Sequence, residues 1–323
     1  MDFYRGDALN LRNRISRVLP HWSASVPHYS YLLGMHAFGL EECNQYADAE
    51  ATGRKALALQ PRDGWAVHAV VHGMEMQGRI DEGIDWLESR EADWAPDNGF
   101  AFHNWWHLAL FNLDRQRHDR VLALYDQRIF PEPAEFSLQL VDATAMLWRL
   151  YLLGVDTGER FQAVADQWEK KLDVERGYYA FNDVHALLAF LGAGRANAVR
   201  QVLQDLEASA RGTGGINVMM AREVAVPLGR GFQAFAQGRY EEAIDLIEPV
   251  RDTANRFGGS HAQRDLITLT LIEAAIRAGQ VNLARHYLAE RLVHKPASAL
   301  GWRLLARAER AEPAVSRTMR KAA

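Results

Sequence analysis

The chain has 323 residues and a net charge of −4, and 48% of its residues are hydrophobic. This composition is typical of a globular protein and excludes a disordered or collagen-like chain. The single cysteine, Cys43, excludes an internal disulfide and a cysteine-rich zinc module. The acidic balance offers no basic surface for nucleic acid, and no apolar run resembles a signal peptide or a membrane span. We therefore expect a cytoplasmic protein with no nucleic-acid or membrane partner.

A short pattern recurs along the chain and predicts helical hairpins. A glycine or polar residue ends one helix, and a small or aliphatic residue five positions later begins to pack the next. The pairs are Asn44/Ala49, Gly78/Gly83, Arg117/Leu122, Gly158/Ala163, Gly194/Val199, Gly238/Ala243 and Gly279/Ala284. No segment has the period-two pattern of a strand. The pattern predicts about seven hairpins and a terminal helix at 297–310.

One of these units resembles a known repeat. The segment YADAEATGRKALALQP at 46–61 is similar to the second half of the tetratricopeptide motif. The resemblance implies an all-α, right-handed solenoid in which each hairpin contacts only its neighbours. We therefore predict a helical lead-in at 1–28, one solenoid domain at 29–310 and a flexible tail at 311–323.

Five further segments carry a narrower resemblance. They are GMHAFGLEE (34–42), WAVHAVVHGMEMQGR (65–79), FHNWWHLALFNLD (102–114), DVHALLAF (183–190) and GGSHAQRDL (258–266). Together they resemble the tetratricopeptide repeat protein 38 family from about residue 30 to residue 295. The resemblance implies a helical solenoid but no defined reaction. Members of that family usually carry further hairpins upstream of the matching region.

Two His-x-x-x-His pairs lie in the predicted first helices of consecutive hairpins. They are His68/His72 and His103/His107. Residues four apart share a helix face, and equivalent positions of neighbouring repeats stack side by side. The pattern favours a shared site of these four histidines on the concave surface, with Glu75 on the same stripe as the first pair. The alternative is that the histidines are structural and each hydrogen-bonds a neighbouring backbone carbonyl.

Other polar and aromatic residues of the first helices are expected to line the same groove. Ser260 and Gln263 instead match a capping box, which explains them without chemistry. The predicted lining residues are His36, Trp65, Asn104, Trp105, Trp106, Asp142, Asp183, His185, His261 and Asp265.

Several functions fit this groove. The histidine pairs could hold a divalent transition metal, with Glu75 as a further ligand or general base. They could also carry protons or bind an anion without a metal. The groove could bind a small polar molecule or a short peptide, or the chain could be a non-catalytic scaffold for a partner protein. No nucleotide or flavin signature is present, and there is no His-Glu-x-x-His motif. The sequence leaves open whether the protein is an enzyme.

Overall fold

We describe a computed structural model of the chain over residues 2–131, 134 and 136–310. All regular structure in these residues is helical, which confirms the all-α prediction. Short 3-10 or π-helical turns occupy 3–5, 19–21, 125–129, 221–225 and 254–257. The α-helices are α1 (Ala8–Val18), α2 (Tyr29–Glu42), α3 (Tyr46–Leu59), α4 (Gly64–Met76), α5 (Ile80–Ser89), α6 (Glu91–Trp94), α7 (Ala101–Asp114), α8 (His118–Leu124), α9 (Ser137–Leu152), α10 (Arg160–Glu175), α11 (Ala180–Gly192), α12 (Ala196–Ala210), α13 (Ile216–Met220), α14 (Val226–Ala236), α15 (Tyr240–Arg251), α16 (His261–Ala278), α17 (Val281–His294) and α18 (Ala299–Arg310).

Consecutive helices pack against each other in pairs. The pairs are α2 with α3, α4 with α5, α7 with α8, α9 with α10, α11 with α12, α14 with α15 and α16 with α17. The turns at Asn44, Gly78, Gly194, Gly238 and Gly279 have φ angles between 62° and 75°. In these five hairpins a left-handed residue ends the first helix, as the sequence pattern predicted. The prediction is wrong by one residue after α7, where the left-handed residue is Gln116 and not Arg117, and by four after α9, where it is Gly154 and not Gly158.

The first helices of the pairs form an inner layer. Each of α2, α4, α7, α9, α11 and α14 packs against the first helix of the next pair. Nearly every residue of α4, α7 and α9 is buried, whereas α3, α5 and α12 bury only one face. Side chains on the first helices are therefore shielded from solvent. Most of the residues predicted to line a groove are buried in the protein interior.

The two ends of the chain also contact each other. Helix α16 packs against α4 and α9, and α18 packs against α7. A Cβ atom on Gly78 would lie 2.7 Å from the Cα atom of Lys295, so only glycine allows this approach. The expectation that each hairpin contacts only its neighbours is wrong. The first helices are apolar around most of their circumference, so they bury their inward faces against distant helices as well.

The lead-in packs on the inner layer. Helix α1 contacts α2, and a Cβ atom on Gly39 would lie 2.7 Å from the Cα atom of Arg12. At the other end of the chain, Ser260 and Gln263 form the predicted capping box at the start of α16. The predicted tail at 311–323 lies outside the described residues. No helix in the described part of the chain is long and apolar enough to cross a membrane.

Candidate functional site

The structure brings the four histidines of α4 and α7 together into one group, here called the histidine cluster (His68, His72, His103 and His107). One ring nitrogen of each residue lies within 4.8 Å of those of the other three. The ring centroids of His68 and His107, which belong to different helices, are 5.1 Å apart. The i, i+4 spacing on each helix and the side-by-side packing of α4 and α7 produce this arrangement.

Three of these imidazoles are buried and lack hydrogen-bond partners. Neither ring nitrogen of His68, His72 or His107 is bonded to any described residue. An unpaired buried polar group costs about 1 to 3 kcal/mol, so the cluster lowers the free energy of unfolding. Burial, together with the neighbouring imidazoles, holds the pKa of His68 and of His107 well below its usual value. Burial likewise lowers the pKa of His72 to about 4. These three rings are neutral at pH 7 and offer lone pairs.

Two buried carboxyl groups approach the cluster on the side of Nδ1. Asp142 Oδ2 lies 2.5 Å from Nδ1 of His103, and Gln263 Nε2 lies 3.5 Å from Asp142 Oδ1. Glu41 Oε2 lies 3.3 Å from Nδ1 of His72, although the two atoms are not aligned for a hydrogen bond. A carboxylate on Nδ1 fixes the imidazole and leaves Nε2 as the atom that faces a ligand. The prediction that Asp142 belongs with these histidines agrees with this placement.

Glu41 was not among the residues that the sequence singled out for the site. It is fully buried at the end of α2, and burial raises its pKa to about 7. The neighbouring Glu42 meets a positive group, because Oε2 of Glu42 lies 3.6 Å from Arg264 and 3.9 Å from Nε2 of His261. The predicted site residue His261 therefore lies beside Glu42, outside the histidine cluster. The adjacent acids Glu41 and Glu42 of the segment GLEE were the available signal in the sequence.

A cavity of about 510 Å³ adjoins the cluster, and His68 and His103 line its inner end. Most of its wall is apolar. The lead-in forms one side of the cavity, a role that no sequence pattern predicted. The apolar and aromatic lining residues are Phe3, Tyr4, Leu11, Ile15, Tyr31, Met35, Phe38, Trp65, Phe100 and Leu138, and the polar ones besides the two histidines are Asp2, Arg14, Asp63, Ser260 and Gln263.

Asp63 adds a carboxyl oxygen to the inner end of the cavity. Its Oδ1 caps α4 by accepting hydrogen bonds from the backbone N–H groups of Trp65 and Ala66, each at 3.1 Å. Its Oδ2 is buried and without a partner, and burial raises the pKa of the group. The polar end of the cavity is therefore lined by two histidines and an aspartate. Sequence reasoning missed Asp63 because an N-cap aspartate is an ordinary structural feature.

Of the predicted aromatic residues, Trp106 and Trp65 contact the site and Trp105 does not. Trp106 is fully buried and stacks on His103 at a centroid distance of 5.3 Å. Trp105 faces the other way and packs on Trp94 at 4.6 Å. Trp65, which is 52% exposed, lies at the rim of the cavity. Adjacent tryptophans therefore divide between the cluster and the packing interface, as their helical offset of about 100° requires.

Two predicted acids are engaged in ion pairs away from the cavity. Glu75 accepts a hydrogen bond of 2.5 Å from Nζ of Lys295. Asp265 forms a bidentate pair with Arg291, with distances of 3.3 and 3.1 Å. Although burial opposes it, the charge of Arg291 keeps the pKa of Asp265 below its usual value. The first pair joins α4 to the residue after α17, and the second joins α16 to α17. Both acids therefore have a partner in the protein and need no ligand.

Four more predicted site residues bond to groups outside the cluster. Each of the four therefore has a local partner, although Oδ1 of Asn104 and Nε2 of His185 are buried without one in the described part of the chain. His36 lies 2.9 Å from Ser16 Oγ, Asn104 donates to Gly64 O at 3.3 Å, Asp183 accepts from the Gly177 N–H at 3.3 Å, and His185 Nδ1 lies 2.8 Å from Phe181 O.

Comparison of the chain with models of known protein families finds no match. The resemblance to the tetratricopeptide repeat protein 38 family therefore stays a prediction that depends on the five segments quoted above. The geometry of the cluster and its cavity is the basis for any functional conclusion.

Proposed function

We propose that the cavity and the histidine cluster together form a binding site for a small molecule with an apolar body and one hydrogen-bond donor, such as an amine or a hydroxyl. The observation that carries this proposal is the set of buried, unpartnered lone pairs at the inner end of a largely apolar cavity. A volume of about 510 Å³ is within the usual range of small-molecule pockets.

The requirement for a donor follows from the chemistry of the inner end. Oδ2 of Asp63 accepts hydrogen bonds and has no donor. If His103 donates from Nδ1 to Asp142, its Nε2 is also an acceptor. A ligand with a hydroxyl or amino group would satisfy these atoms, whereas a carboxylate would meet like partial charges. His103, oriented by Asp142, is also suitably placed to accept a proton from such a group.

The burial of the site favours a small molecule over a peptide or a partner protein. His68 is 2% exposed and His107 is not exposed at all, so a folded partner could not reach them. The lead-in residues Phe3 and Tyr4 cover one side of the cavity. A scaffold would instead bind partners through exposed side chains. The buried cluster would then destabilise the folded state without contributing to binding.

For the architecture, we propose a tetratricopeptide-like solenoid related to the tetratricopeptide repeat protein 38 family, whose ends come into contact. The paired helices, the left-handed turn residues and the inner layer of first helices support this proposal. A small residue five positions after the turn, such as Ala49 or Ala243, is fully buried, which fits close packing within each hairpin.

Binding of tryptamine and of indole-3-propionate tests the proposed ligand chemistry. The two molecules share an apolar ring but end in an amine and a carboxylate. We expect tryptamine to bind at least about tenfold more tightly in isothermal titration calorimetry. Asp63→Asn keeps an N-cap residue on α4 but removes the carboxylate, and it should reduce this preference.

A cavity-filling pair of variants provides the control. Leu138→Trp places a large ring in the cavity and should abolish binding, while Val174→Trp adds the same ring at an 87% exposed position and should not change it. Equal binding of tryptamine to both variants would contradict the proposed site. Near-ultraviolet circular dichroism verifies that each variant is folded.

A further inference from the structure

We infer that the histidine cluster binds one divalent transition-metal ion. This inference goes beyond the proposed function, because ion binding needs the four imidazoles and not a molecule in the cavity. It draws on the spacing of the ring nitrogens, their missing partners and the carboxyl groups behind two of the rings.

The spacing of the ring nitrogens is close to that of a metal site. One nitrogen from each ring lies within 4.8 Å of the others. A tetrahedral ion with bonds of about 2.0 to 2.1 Å to imidazole places its ligand atoms about 3.3 Å apart. The ring centroids of His72 and His107 are 4.4 Å apart, so these two rings, which belong to different helices, are in direct contact.

The missing partners of these nitrogens point to a cation. Buried polar groups in folded proteins almost always have a hydrogen-bond partner, and each exception needs an explanation. Six ring nitrogens in three adjacent residues have none among the described residues. Each neutral ring carries one N–H donor and one lone pair, yet no N–H···N bond joins any of these three rings. A single ion would bind one lone pair from each ring.

The two carboxyl groups complete the pattern of a metal site. Histidine ligands usually have a carboxylate or carbonyl on the ring nitrogen that does not bind the metal. Asp142 stands in this position behind His103, and Glu41 stands in it behind His72. A dication and these two carboxylates together carry no net charge, which lowers the desolvation penalty of burying the ion.

The donor set also limits the kind of ion. The cluster offers imidazole nitrogens, which suit Zn²⁺, Co²⁺, Ni²⁺ or Cu²⁺ and are poor ligands for Mg²⁺ or Ca²⁺. Cys43 does not join the set, because its thiol donates to the carbonyl of Ala8 at 3.3 Å. Since His68 and His103 also line the cavity, an ion held here would face a cavity ligand, a consequence that rests on the proposed function.

Metal content is the direct test. Untagged protein is dialysed against Zn²⁺, desalted and measured by inductively coupled plasma mass spectrometry. We expect about one equivalent of Zn²⁺ in the wild type, and at least a tenfold loss in the His72→Gln/His107→Gln double variant. His118→Gln is the matched control, because Nε2 of His118 is also buried and unpartnered, yet it belongs to no group of potential ligands in the described residues.

A second measurement keeps the inference testable if the double variant does not fold. Wild-type protein loaded with Cu²⁺ should show nitrogen hyperfine splitting from several imidazoles in electron paramagnetic resonance. The inference is overturned if the wild type retains less than about a tenth of an equivalent of Zn²⁺, since multi-histidine sites bind tightly. It is equally overturned if the folded double variant retains its metal, or if no nitrogen splitting appears.

The outcomes also separate this inference from the proposed function. Tryptamine binding by protein that takes up no Zn²⁺ would refute the metal site and leave the cavity site standing. Stoichiometric Zn²⁺ without tryptamine binding would support the metal site and refute the cavity site.

Discussion

The ion pair between Glu75 and Lys295 gives the sharpest prediction for stability. It connects α4 to the residue that follows α17, and its side chains are only 7% and 5% exposed. Lys295→Met removes the partner of a buried carboxylate, which costs about 3 to 5 kcal/mol, whereas an exposed pair is worth about 1 kcal/mol or less. We expect the free energy of unfolding to fall by the larger amount.

Urea denaturation, followed by tryptophan fluorescence and far-ultraviolet circular dichroism, measures this change. Replacing both partners, in Glu75→Met/Lys295→Met, should return the protein to within about 1 kcal/mol of the wild type, because no charge is left unpaired. Lys171→Met is the matched control, since Lys171 and Glu175 are 3.7 Å apart and 31% and 38% exposed. A loss below about 1 kcal/mol for Lys295→Met would refute the buried contact between the two ends of the chain.

Two further changes test the packing and the titration of the inner layer. Gly83→Ala should destabilise the protein by about 1 to 3 kcal/mol, because the added methyl group would overlap the ring of Phe111, while Gly214→Ala, with open space around it, should have no such effect in urea denaturation. Burial raises the pKa of Asp183 to about 7, so the folded state keeps a proton that the unfolded state loses near 3.8. This term makes stability fall as the pH rises from about 4 to 7. Asp183→Asn should remove it and raise the melting temperature relative to the wild type at pH 8 but not at pH 4; an equal difference at both pH values would contradict the shifted pKa.

Local periodicity was enough to predict the helical pairs and the histidine cluster. The turn signal at Gly78 and the small residue at Gly83 lie within one hairpin, so both leave a short-range pattern in the sequence. His68 and His107 come together because each occupies the same register in its own repeat, and registers align between neighbouring repeats. These features depend only on contacts between neighbouring units of the chain.

Contacts between distant units were not predictable in this way. Glu75 shares the helical stripe of His72, but its side chain pairs with Lys295, 220 residues further along the chain. Asp265 is likewise engaged by Arg291, and no periodic signal marks either partner. The lead-in was predicted as a helix, but its place in the cavity wall depends on contacts with α2 and with the turn at 254–257 that have no local signature. Sequence reasoning therefore located the cluster better than it assigned the acids around it.

We propose that the histidine cluster is a binding site and not a structural element of the core. Nuclear magnetic resonance of protein labelled with ¹⁵N-histidine observes the ring nitrogens of His68, His72 and His107 directly. Our account predicts that these resonances move when Zn²⁺ or tryptamine is added, while those of the control residue His118 stay fixed. Cluster resonances that respond to neither addition in the folded protein would contradict the account.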